Sequence, residues 1–226
     1  KNNDKMEIAY TQLKGQKDLT LARNVSAGIH LKDPLVHIPE FCTFLQEPTI
    51  QGIVTGYYES IPMLTFAKAM INFNNSVGPR DTQLWHSDPG SFRILKLFVY
   101  LNDVDEDSGA FQIIKGSHYK KFEGWDQSTR HTHQDMERHY QKKDFKTVPA
   151  KAGDVFFADA TAFHRGSVPI TKDRKILILN FCVQKEYGLP YSTTKISKKT
   201  VSDFTGLAST FLDGLEVVGE NDETKA

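Results

Sequence analysis

The stretch Leu95–Leu101 alternates with a period of two. Leu95, Leu97, Val99 and Leu101 fall on one face, and Lys96, Phe98, Tyr100 and Asn102 on the other. That spacing belongs to a strand with two different environments, because successive side chains leave a strand on opposite sides. Further short strand candidates are Leu64–Phe73, Gln83–Asp88, Ala110–Ile114, Phe145–Val148, Val155–Ala158, His164–Val168 and Lys175–Val183. Turn-forming runs separate them, among them Asn102-Asp103-Val104-Asp105-Glu106-Asp107-Ser108-Gly109 and Ala152-Gly153-Asp154. Many short strands with turns between them argue for a mainly β sandwich or barrel.

The flanks read differently. Ile38, Phe41, Cys42 and Leu45 have helical spacing, and a break at Glu47-Pro48 predicts two short helices packed on an outer face of the sheet. The length of 226 residues fits one domain. Its expected layout is an N-terminal helical cover over 1–62, a β core over 63–185 with an insert at 119–146, and a C-terminal extension over 186–226. The insert is polar and carries Trp125, His131, His133 and His139. A segment of that length and polarity is expected to be a lid, a substrate loop or a partly disordered stretch, its histidines solvated rather than metal-bound. A weak helix is expected near Phe204–Leu215, followed by a frayed acidic tail over 219–226.

The chemistry is concentrated in Trp85-His86-Ser87-Asp88. In an extended strand His86 and Asp88 point to one side, and Trp85 and Ser87 to the other. An imidazole and a carboxylate converging on one point make two-thirds of the facial triad that holds non-haem Fe(II). A second imidazole is available at His164, which follows the apolar strand Val155–Ala158, and Arg174 lies ten residues further on. Taken singly, each of these residues reads more simply as a surface polar group, and Arg174 as a guard on a strand edge. Lys96 interrupts an otherwise apolar strand, and Lys96, Tyr100 and Asn180 are candidates for contact with a ligand.

The ordered set resembles the phytanoyl-CoA dioxygenase family of Fe(II)/2-oxoglutarate-dependent oxygenases. It comprises His86-x-Asp88, the Leu101–Asp105 turn, Lys115-Gly116-Ser117-His118, Ala152-Gly153-Asp154, Phe163-His164-Arg165-Gly166 and Arg174, and spans roughly Leu64 to Val183. The resemblance implies a double-stranded β-helix, a jelly-roll or cupin-like barrel with flanking N-terminal helices. It implies His86, Asp88 and His164 as iron ligands and Arg174 as the anchor for the distal carboxylate of 2-oxoglutarate. The implied cofactors are Fe(II), 2-oxoglutarate and O2, with ascorbate supportive. The implied reaction hydroxylates an aliphatic C–H of a small-molecule or lipid-like substrate and releases succinate and CO2. Related halogenases replace the carboxylate ligand by a small residue, so Asp88 favours hydroxylation, or desaturation or ring chemistry by the same oxidising species, over halogen transfer. Many members have a Ser two residues after the distal His. Here the Ser is Ser167, one place later, and strand alternation turns it to the opposite face from His164. Lys96 and Ser167 complete the candidate co-substrate contacts.

Charge and cysteine usage narrow the alternatives. Acidic and basic residues balance at 28 each, so nothing draws the chain to nucleic acid or an anionic membrane, and a small molecule is the expected partner. Cys42 and Cys182 match no zinc spacing and suit a reducing cytoplasm. No apolar run is long enough to span a bilayer, and no leader pattern is visible. The competing reading is a non-redox, metal-binding cupin-like enzyme or a jelly-roll binding module, neither of which needs Arg174.

Overall fold

The computed structural model describes residues 28–31, 33–74, 78–183 and 194–219. Its strands in chain order are β1 (Gly28–Leu31), β2 (Met63–Asn72), β3 (Leu95–Tyr100), β4 (Phe111–Ile114), β5 (Phe145–Val148), β6 (Val155–Asp159), β7 (His164–Gly166), β8 (Arg174–Cys182), β9 (Lys195–Ser197) and β10 (Glu216–Val218). Five of them form an antiparallel sheet in the order β1-β2-β8-β3-β6, and β5-β4-β7 form a second, three-stranded sheet. β9 and β10 make a small parallel pair. The architecture is a mainly β jelly roll.

Alternation along β3 sorts the two sides of the larger sheet. Leu95, Leu97 and Val99 join Leu177, Leu179 and Phe181 of β8 in an outer core. That core is covered by helix α1 (Pro34–His37), the 3-10 turn Pro39–Gln46 and helix α2 (Pro48–Tyr58). Glu47-Pro48 breaks the helical stretch as expected, with Pro48 at the first turn of α2, where a missing N–H costs nothing. Phe98 and Tyr100 point the other way and pack with Phe111 and Phe156 between the sheets. The Tyr100 hydroxyl ties the sheets together. It donates to the Val148 carbonyl at 3.0 Å and accepts from the Phe111 N–H at 2.8 Å.

Three expectations change. Gln83–Asp88 is not a laddered strand. A 3-10 turn at Asp81–Gln83 leads into isolated bridges, Trp85 with His131 and His86 with His164. Neighbouring residues of an extended chain turn their peptide groups to opposite sides, and here each side meets a different partner. Residues 28–31 form an edge strand on β2, where the expectation was part of a helical cover.

The insert 119–146 is anchored by a few of its side chains, while most of its residues, His133 and His139 among them, are exposed. It contains helix α3 (His133–Glu137), and Phe122, Trp125, Met136 and Tyr140 join Trp85, Ile114 and Phe163 in a cluster of their own. Its apolar residues have no regular period, so polarity dominated the reading of the sequence. Phe204–Leu215 holds a short helix (Gly206–Thr210) and a 3-10 turn (Phe211–Gly214), preceded by another short helix at Lys198–Ser202. The reading of residues 1–27 as cover and of 220–226 as an acidic tail lies outside the described residues. No helix among the described residues is long and apolar enough to cross a membrane.

Candidate metal and co-substrate site

His86 and His164 are brought together by the backbone itself. The His86 N–H donates to the His164 carbonyl at 3.1 Å, and the His164 N–H returns a bond to the His86 carbonyl at 2.8 Å. Their ring centroids stand 4.3 Å apart. The Asp88 N–H donates to the Ala160 carbonyl at 2.9 Å, which holds the third residue against the same segment. The ligand atoms of His86, Asp88 and His164 all lie within 4.8 Å of one another.

The donor set fits a divalent metal. In each histidine Nδ1 lies 2.9 Å from the carbonyl two residues earlier, Leu84 for His86 and Ala162 for His164. A carbonyl only accepts, so each Nδ1 carries the proton and each Nε2 keeps its lone pair. Burial holds both imidazoles below their ordinary pKa, His86 down to about 3, and so keeps them neutral. Burial pushes the Asp88 carboxyl up, but the opposing effects, led by the charge of Lys96, outweigh it and hold the carboxyl well below the usual range. Asp88 Oδ1 faces the imidazoles, 3.6 Å from His86 Nε2 and 3.9 Å from His164 Nε2. Oδ2 accepts a hydrogen bond from Lys96 Nζ. Lys96 therefore occupies one carboxylate oxygen and leaves the other turned to the imidazoles.

Arg174 opens β8 and lines the same cavity, of about 100 Å³, as the three residues above. It is 5% exposed. Its Nε and Nη2 donate to Asn72 Oδ1 at 3.1 and 2.6 Å, and Nη1 donates to the Gly109 carbonyl. Gly109 has φ of 82°, and a Cβ there would meet Pro169 at 2.7 Å and the Ser167 carbonyl at 2.8 Å. A guanidinium has five N–H donors, so both Nη atoms keep one spare. No carboxylate faces Arg174 among the described residues, and burial pushes its pKa down to about 10. A buried, uncompensated guanidinium at a cavity wall is costly unless an anion joins it.

Ser167 does not reach the cavity; its hydroxyl donates to the Ala110 carbonyl at 2.9 Å. The position two residues after His164 is Gly166, where a Cβ would stand 2.3 Å from Arg174 Nη2. A side chain at 166 and this placement of Arg174 exclude one another. Tyr100 serves the sheet junction. The Asn180 amide donates to Thr65 Oγ1 at 2.7 Å, so neither residue is spare for a ligand through those groups. His131 pairs its backbone with Trp85, and His133 Nδ1 accepts from Trp85 Nε1 at 3.2 Å. His139 stacks on Phe122. These histidines brace the outer side of the ligand segment.

Sequence reasoning missed Asn72, Gly166 and Lys68, all of which touch the cavity or Arg174. The signal for Lys68 was present, a lysine interrupting an apolar strand as Lys96 does. Met70, Phe98, Phe111, Ile176 and Ile178 supply the apolar wall.

The profile of the Phytanoyl-CoA dioxygenase (PhyH) family matches residues 17–176. Among curated proteins no sequence matches the chain. Among solved structures, HygX from Streptomyces hygroscopicus, with nickel and 2-oxoglutarate bound, superposes with a TM-score of 0.56 at 14% identity, over 81% of this chain and 78% of that one. The non-heme alpha ketoglutarate dependent epimerase SnoN from nogalamycin biosynthesis gives 0.53 at 17%, over 69% and 62%. The carbocyclase SnoK from the same pathway gives 0.53 at 19%, over 69% and 63%. The chain thus spans just under two thirds of the length of SnoN and SnoK. At these identities the likeness establishes the fold.

Proposed function

This chain belongs to the phytanoyl-CoA dioxygenase family, and from that premise we propose that it is an Fe(II)- and 2-oxoglutarate-dependent oxygenase that hydroxylates an aliphatic C–H of a small molecule. The observation that carries the reading is the pairing, in one cavity, of a two-imidazole, one-carboxylate cluster with a buried arginine that faces no acid among the described residues. A binding module or a non-redox metal enzyme has no use for the second half of that pairing.

His86 and His164 would hold the metal through Nε2, and Asp88 through Oδ1. A facial set of two imidazoles and one carboxylate would leave room on the metal for co-substrate and dioxygen. Bound Fe(II) would supply the activation of dioxygen, the oxidant, with conversion of 2-oxoglutarate to succinate and CO2. The protein's part is orientation and exclusion. Lys96 fixes the Asp88 carboxylate so that one oxygen alone faces the imidazoles. Asn72 and Gly109 aim the Arg174 fork at the distal carboxylate of 2-oxoglutarate, which a rigid two-pronged donor suits better than an ammonium. The wall of Met70, Phe98, Phe111, Ile176 and Ile178 keeps water from the reacting centre. Asp88 also fills the ligand position whose loss would admit a halide, which favours transfer of oxygen.

SnoN and SnoK are described as an epimerase and a carbocyclase, so product analysis belongs in the test. Purified protein is supplied with Fe(II), ascorbate and 2-oxoglutarate, and succinate is followed with and without candidate substrates. Succinate formation that requires Fe(II), with a product that gains one oxygen atom, is expected. Absence of succinate together with absence of 2-oxoglutarate binding would overturn the reading. A product that has lost two hydrogen atoms, with water formed, or one of unchanged composition formed with consumption of ascorbate, would leave the co-substrate chemistry in place and replace hydroxylation by ring closure or epimerisation.

A further inference from the structure

The cavity holds more positive charge than the proposed chemistry uses. Its lining includes three cationic side chains, Lys68, Lys96 and Arg174, against one acid, Asp88. Imidazoles that ligate a metal are neutral. Arg174 has its assigned carboxylate and Lys96 has Asp88. Lys68 is left over.

Lys68 lies on the inward face of β2, with Phe66, Met70 and Asn72 at alternate positions. Its register partner on β8 is Ile178, whereas Asn72 is paired with Arg174. Four residues of strand separate the two levels, roughly 13 Å, so Lys68 stands toward the Lys96 end of the cavity and away from the arginine. Its ammonium makes no hydrogen bond or ion pair with a described residue. Burial and the neighbouring charge of Lys96 both hold its pKa down, as expected of a cation waiting for a counter-ion. Asp81 is within electrostatic range, but its side chain is largely exposed and lies 3.9 Å from Arg130 Nε. Asp88 is within electrostatic range as well, but one of its oxygens is held by Lys96, so Lys68 is a half-buried cation aimed into an apolar-walled cavity with no hydrogen-bonded or ion-paired acid among the described residues.

We propose that Lys68 recognises the acid group of the substrate, and that the substrate is a carboxylate-bearing small molecule. This rests on the oxygenase reading and adds its substrate class. The apolar wall takes the carbon skeleton, and the ammonium takes the carboxylate by a charge-assisted hydrogen bond.

The test uses protein loaded with Fe(II) and 2-oxoglutarate under anaerobic conditions, titrated by calorimetry or NMR with a matched pair of probes, hexanoate and hexanamide. Hexanoate is expected to bind about tenfold more tightly than hexanamide, the order expected for one charged hydrogen bond. Lys68→Met is expected to abolish that preference while 2-oxoglutarate affinity is retained, and Lys68→Arg to keep it. Failure of hexanoate to bind, equal affinity for the pair, or a preference that survives Lys68→Met would overturn the proposal. So would a loss of 2-oxoglutarate affinity in Lys68→Met as large as that in Arg174→Met, which would make Lys68 a co-substrate residue. Failure of the wild-type protein to bind 2-oxoglutarate at all would instead overturn the oxygenase reading, and the probe pair would then be compared on the protein without it.

Discussion

At the scale of single residues, the site depends on groups that restrain other groups. Lys96 holds one oxygen of Asp88, so Lys96→Met should weaken Fe(II) binding about 10- to 100-fold, as is usual when a partner of a metal ligand is lost; anaerobic equilibrium titration of the metal reads this directly. Arg174→Met should weaken 2-oxoglutarate roughly 100-fold, the cost of one well-made charged pair, with metal affinity unchanged. Gly166 makes a sharper case. Restoring the Ser common at this position in relatives, through Gly166→Ser, would put a Cβ 2.3 Å from Arg174 Nη2. The expected result is a loss of 2-oxoglutarate affinity of about tenfold or more, the opposite of a repair. His86, Asp88, His164 and Arg174 were legible as candidates because their spacing is a property of the chain. Gly166 was not, since its meaning lies in a side chain eight residues away that folds back over it. Ser167 was a natural candidate by residue type, but alternation turns it outward, and it bonds Ala110 instead.

At the scale of elements, the strands were readable because alternation is local. β3, β5 and β8 fall within a residue of their expected bounds, and β3 splits its two faces as its pattern requires. The insert was not readable, because Phe122, Trp125, Met136 and Tyr140 meet Trp85 and Phe163 only after the chain has closed. Its role follows from where it packs. It lies against the outer side of the ligand segment, with His131 bonded to Trp85 and Gln127 Nε2 donating to the Asp88 carbonyl at 3.0 Å. Met136 is fully buried there, so Met136→Ala should cost about 3 kcal/mol in a denaturant titration. A solvated lid would lose almost nothing. Lys121 adds a pH signature. Its Nζ donates to Ser87 Oγ at 3.0 Å and stands over the rings of Trp125 and Phe163. Burial pushes its pKa down to about 8 from an ordinary 10.5. Between those values the unfolded chain keeps a proton that the folded one has released, so folding stability from this group rises with pH across that window. The stability of wild type relative to Lys121→Met should therefore increase from pH ~8 to ~10.5; a flat difference would place Lys121 in water.

At the scale of the whole molecule, one sheet separates two environments. Its outer face is buried under the helices, and its inner face, shared with the smaller sheet, opens into the cavity. That division lets an apolar shell carry stability while charged groups remain inside. Cys42 and Cys182 sit in the buried part, both fully inaccessible, and burial pushes the Cys42 thiol up to about 12. Neither should react with a thiol reagent until the protein unfolds, so labelling should follow the unfolding transition. The central claim is that one cavity joins a metal held by His86, Asp88 and His164 to a co-substrate held by Arg174. Calorimetric titration of 2-oxoglutarate into the protein without oxygen, with and without Fe(II), tests it most directly in wild type, Asp88→Ala and Arg174→Met. Binding in wild type that is strengthened by Fe(II), loses that strengthening in Asp88→Ala, and is weakened in Arg174→Met with or without the metal is the predicted result. Binding that is indifferent to Fe(II), or equal in all three proteins, would contradict it.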